Sequence, residues 1–170
     1  MAICEEYKIL LKEAESRKKK IKEIFILFKK GYLEKKINVL FHEIHKQVFE
    51  EIDCLRCANC CSSISPIILD NDIRKISKAL NEKPSLVTEK YLKTDSDHDY
   101  IFKNSPCPFL TPEDHYCSIY FARPKACREY PHTDHHKVTS ILNLTYKNVF
   151  VCPAVYLIVM RIGDNMKKLS

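Results

Sequence analysis

Apolar residues recur at three- and four-residue intervals through the first third of the chain. Leu10, Leu11, Ala14, Ile21, Ile24, Phe25 and Phe28 make one series, and Leu33, Ile37, Leu40, Phe41, Ile44, Val48 and Ile52 make a second. This is the helical period, so residues 5–52 are expected to be helix with one face against a core. Lysines and glutamates fill the other faces, with Glu15 and Lys19 spaced for an i,i+4 ion pair. Gly31 lies between the two series and is the expected break, because Gly inside a helix costs about 1 kcal/mol relative to Ala. A helix pair packed on the rest of the chain is the first expectation. A projecting helix that binds a partner or a second copy is the alternative.

Beyond residue 52 the elements shorten. Ile67, Ile68 and Leu69 form an apolar run that reads as a strand or buried connector. Asp70 is placed to cap a helix whose apolar face is Ile73, Ile76, Ala79 and Leu80, closed by Asn81. Ser85 is expected to cap a short helix over 86–92. Tyr100, Ile101 and Phe102 suit a short strand, and the segments around Cys107 and Cys117 suit a small hairpin. Pro124 can open a short helix that ends before Pro131. Residues 139–150 fit helix and strand equally. A last apolar helix is expected over 154–161, stopped near Gly163.

Cysteine placement changes the picture. Cys54, Cys57, Cys60 and Cys61 fall within eight residues, and Cys107, Cys117, Cys127 and Cys152 follow singly, with Cys4 apart. Thiolates are the soft ligands of zinc and iron–sulfur centres. No secretory leader is evident, and the longest apolar stretch, 149–160, is interrupted by Pro153 and too short to span a bilayer. A cytoplasmic protein is therefore expected, whose thiols serve as ligands rather than disulfides. The net charge of +6 is mild, and the first fifty residues, with twelve Lys and Arg against eight Asp and Glu, carry most of it. An ordinary solvated helix face explains this charge better than nucleic acid does. Only two glycines occur, which argues against a phosphate-binding loop.

Four motifs in order carry a resemblance: Cys54-x2-Cys57-x2-Cys60-Cys61, Cys107-Pro108-Phe109-Leu110, Cys117-Ser118-Ile119-Tyr120, and Arg123-Pro124-x2-Cys127-Arg128-x-Tyr130-Pro131. Together they resemble the YkgJ-type cysteine-cluster family over about residues 52–155. The resemblance implies a zinc- or iron-chelating domain, often labelled iron–sulfur. No Gly-rich cofactor loop, nucleophile–base pair or paired catalytic carboxylates mark an enzyme.

The expected fold is mainly α, with an irregular cysteine-rich centre and short β strands. It is a small metal-stabilised domain at 52–163, behind a helical N-terminal leader at 1–51 and before a tail at 164–170. Cys54, Cys57, Cys60, Cys61, Cys107, Cys117, Cys127 and Cys152 are the candidate ligands. A dense triple C-x2-C-x2-C and cysteines followed by proline favour an iron–sulfur cluster over zinc. Cys60 and Cys61 diverge if the chain is extended, so the doublet is expected to divide between centres. His42, His45, His115, His132, His135 and His136 are read as solvated polar positions rather than ligands. Arg123 and Arg128 are expected either to face the bound group or to pair with Glu129, Asp114 or helix carbonyls. A redox or protein partner is expected, with the basic leader as its contact. A structural zinc module that mediates protein or nucleic-acid interaction is the competing function.

Overall fold

The computed structural model describes residues 5–30 and 33–167. Cys4 and the expected break at Gly31 lie outside the described residues. Helices dominate: α1 (Glu5–Ser16), α2 (Lys18–Phe28), α3 (Glu34–Glu51), α4 (Cys54–Cys57), α5 (Asn59–Ser63), α6 (Asp70–Leu80), α7 (Pro84–Tyr91), α8 (Lys125–Glu129), α9 (Leu142–Asn148) and α10 (Pro153–Lys167). Strands β1 (Leu92–Thr94) and β2 (Tyr100–Phe102) pair antiparallel, with Leu92 opposite Phe102 and Thr94 opposite Tyr100. Among the described residues the chain is mainly helical, as its apolar periodicity predicts, with one short ribbon in which the expected strand at Tyr100–Phe102 pairs with an unanticipated one at Leu92–Thr94. It divides into two compact units, residues 58–130 and residues 2–57 with 131–170.

The second unit holds the leader helices and the closing helix. Its α10 packs against α3, α1 and α2. The predicted faces are the buried ones: Ile21, Phe28, Ile37, Phe41 and Val48 are sequestered together with Val155, Ile158 and Ile162. Two details differ from expectation. Glu15 pairs with Lys18 at 3.7 Å rather than with Lys19, because the helix is interrupted by a turn at Arg17. The last helix also does not stop near Gly163 but runs on to Lys167. Gly163 is there for close approach: a Cβ would sit 2.5 Å from Ile24 Cδ1 and 2.9 Å from its Cγ1. The region over 139–150 resolves as helix, a 3-10 turn at Val138–Ile141 followed by α9.

The first unit has its own core of Ile68, Ile73, Ile76, Val87, Phe102 and Phe109, with Cys107 and Cys117 packed on its edge. Ile67 joins the ribbon by a single bridge to Ile101. Asn81 closes α6 in the left-handed conformation, φ 54°. The cap of α6 is not Asp70, which is already helical. Leu69 takes the cap position, and Asp72, at the third helical residue, accepts the Leu69 N–H at 3.2 Å. Similarly α7 begins at Pro84 rather than after Ser85, since proline suits the first helical position.

Candidate metal centre

The cysteine run is helical rather than an irregular loop. Short α4 and α5 are separated by Ala58, whose φ of 46° turns the chain between them. The extended conformation that would make the doublet diverge is therefore absent. On α5 the Cys60 and Cys61 sulfurs lie 4.0 Å apart.

Within residues 58–130, a main-chain bond ties Cys107 to Cys61, and further bonds hold Cys117 and Cys127 in the same unit. The Cys107 amide donates to the Cys61 carbonyl at 2.8 Å. Leu110 then donates back to the Cys107 carbonyl at 3.0 Å, forming a turn that aims the Phe109 and Leu110 amides at the Cys107 sulfur. Leu110 bridges to Cys117, and Ser118 donates to the Phe109 carbonyl at 2.8 Å, which closes the expected hairpin. The Ile119 amide faces the Cys117 sulfur. Cys127 rides on α8, opened by Pro124. The Asp72 carboxylate fixes that helix by accepting the Lys125 N–H at 3.0 Å. Sequence reading missed Asp72; its signal is an acid three residues after the helix entry, the capping-box position.

The electrostatics make these four thiols one neighbourhood. The Cys61 thiol is lowered to about 7, chiefly by its hydrogen bond with Cys60, with burial opposing and the Arg123 charge assisting. Burial pushes Cys127 up to about 12, and charge on Cys61, Cys107 and Cys117 adds to the effect. Burial likewise raises Cys107 to about 11 and raises Cys117. The Arg123 guanidinium favours thiolate at Cys61, Cys117 and Cys127. It lies 3.5 Å from the centroid of the Tyr120 ring, and its Nε donates to the Tyr120 carbonyl at 2.8 Å. Arg128 donates to the Arg123 carbonyl. The acid nearest in sequence, Glu129, pairs with Lys125 instead, at 3.8 Å.

The other unit gathers Cys54 and Cys57 on α4 with Cys152. Cys152 is buried and immediately precedes Pro153, the first residue of α10. The Ala154 and Val155 amides, which lack helical acceptors at this end, face its sulfur. Burial raises this thiol to about 12, and charge on Cys54 and Cys57 adds to the rise. Two histidines of this unit are engaged elsewhere: His42 Nε2 bonds the His135 carbonyl and His45 Nδ1 the Thr133 hydroxyl, each at 2.8 Å. In the first unit His115 sits in the hairpin turn with φ 58°, its buried Nε2 without a hydrogen-bond partner.

A family model described as CxxCxxCC, putative zinc- or iron-chelating domain, matches residues 53–147. The chain belongs to the CxxCxxCC family. No curated protein and no solved structure matches it. The matched span holds seven of the eight described cysteines and stops short of Cys152.

Metal binding agrees with the chemistry of the donors. Sheltered thiols with amide N–H groups already aimed at sulfur are what a metal-bound thiolate requires of its surroundings. Among the described residues, no three His, Cys, Asp or Glu side chains stand close enough to hold an ion as they are. No helix among the described residues is long and apolar enough to cross a membrane.

Proposed function

We propose that the protein carries an iron–sulfur cluster on Cys61, Cys107, Cys117 and Cys127, in a redox or cluster-carrying role. Cys54, Cys57 and Cys152 form the second group of candidate ligands, and Cys60 supports Cys61 from 4.0 Å. The observation that carries the reading is that Cys107, Cys117 and Cys127, from three further segments of the same unit, all lie within reach of charge on Cys61, with the Arg123 cation beside Cys61, Cys117 and Cys127. A nearby cation offsets the negative charge of a thiolate-bound cluster and raises its potential. Arg123 is the residue for that task, and Arg128 steadies it through the Arg123 carbonyl. A bound cluster would supply one-electron chemistry; the chain supplies shelter, amide donors and the guanidinium. Cysteines in this number, serving as ligands, fit a reducing, cytoplasmic setting.

Zinc is the second reading. Four thiols from one unit suffice for a closed tetrahedral site of structural type. Elemental analysis and a visible spectrum of anaerobically purified protein separate the two. Iron with inorganic sulfide and thiolate-to-iron charge-transfer absorption support the cluster. Colourless protein with stoichiometric zinc, after anaerobic expression with ample iron, overturns it.

A further inference from the structure

We infer that the groove between α2 and α9 is a docking site for an acidic, amphipathic helical segment of a partner protein. The groove encloses about 660 Å³ and is lined by Lys18, Lys19, Lys22 and Lys29 around a floor of Phe25, Ile26, Leu142 and Tyr146. Lys18, Lys22, Ile26 and Lys29 stand at i, i+4, i+8 and i+11, so they share one face of α2. No acidic side chain lines it.

Among the described residues, Lys18 alone of these four lysines has an ion-pair partner, Glu15 at 3.7 Å. Lys18 also lies over the Phe150 ring at 5.1 Å, and Lys29 donates to Asn143 at 3.3 Å. Lys19 and Lys22 form no ion pair with a described acid. Ile26, between them and Lys29, is 58 % exposed. A solvated helix face does not need an exposed isoleucine over an aromatic floor inside a lysine ring. An occupant with carboxylates outside and an apolar centre satisfies both features. Eleven residues of α2 extend about 16 Å, which suits three turns of a helix better than a small anion. This surface is independent of the thiols, so the inference stands whichever metal they bind.

The test is fluorescence anisotropy with the full, metal-loaded chain. The probe is a fluorescein-labelled 16-residue helix with two glutamates on each side of a Leu–Phe pair. Saturable binding is expected, weakened at least about tenfold by Lys19→Glu/Lys22→Glu and by Ile26→Asp, and weakened by salt. These positions are exposed, and circular dichroism checks that the variants stay folded. Equal binding of a probe with serines replacing the Leu–Phe pair overturns the apolar half of the argument. Insensitivity to the lysine reversal overturns the inference. So does displacement of the probe, at lower concentration than a matched acidic peptide, by phosphatidylserine vesicles or a single-stranded oligonucleotide.

Discussion

Asp72 accepts the Lys125 amide at 3.0 Å through one carboxylate oxygen and the Leu69 amide at 3.2 Å through the other. One buried carboxylate thereby caps α6 and anchors the first turn of α8, which carries Cys127. Asp72→Ala leaves both amides without their acceptor and is expected to destabilise the protein by about 1–3 kcal/mol. It should also lower the amount of metal retained. Asp72→Asn keeps one acceptor and should fall between. Urea titration with metal analysis measures both effects, and an Asp72→Ala loss below about 0.5 kcal/mol would rule the anchor out.

The long helices are legible because their apolar residues repeat at the helical period over many turns. The buried set Ile37, Phe41, Ile44 and Val48 on α3 is the face that period picks out. The short elements are less so. Four residues, as in α4, complete barely one turn, too few for a period to show. The helical form of the cysteine run depends on Ala58 adopting a conformation that L-residues avoid, and composition does not announce this. Candidate ligands were legible as residue types, since eight spaced cysteines are visible in any reading. Their grouping was not. It depends on main-chain bonds such as Cys107 to Cys61, between residues far apart in sequence.

Gly163 sits inside α10 against Ile24. Helix propensity alone predicts that Gly163→Ala stabilises by about 1 kcal/mol. The added Cβ would lie 2.5 Å from Ile24 Cδ1, and Ile24 is only 4 % exposed, so it has no room to swing away. Overpacking should win, with a net loss of about 1–3 kcal/mol. Ile24→Val removes the nearest atom, so the glycine substitution should cost less in that background. Thermal melts of the double-mutant cycle measure the coupling, and additive effects would show that the contact does not govern.

Arg123 provides a test that structural support alone would not meet. Removing its charge disfavours the more negative, reduced form of a cluster. At about 1 kcal/mol of charge interaction, Arg123→Ala should lower a one-electron potential by roughly 40 mV. Arg123→Lys should recover part of this while losing the stacked geometry on Tyr120. Potentiometry of iron-loaded protein reads the shift directly. An unchanged potential with intact cluster content would leave Arg123 a structural role alone, through its stacking on Tyr120 and its bond to the Tyr120 carbonyl.

Metal loading should release protons in a pH-dependent number. Cys107 and Cys127 lie at about 11 and about 12, and Cys117 is raised above its ordinary 9.0, all three chiefly by burial. They are protonated at neutral pH and must each lose a proton to bind. Cys61 titrates near 7, so it contributes a proton below that pH and progressively none above it. Binding at this site should therefore release about four protons at pH 6 and about three at pH 8, and affinity should rise with pH throughout. Without metal the sign reverses. Raised thiols stabilise the fold fully below their unfolded value near 9.0, and that contribution is lost as pH climbs from 9 towards 11–12. Calorimetric titration with zinc in buffers of different ionisation enthalpy counts the protons. Fewer than two released at pH 8 would mean that these four thiols do not bind the metal together.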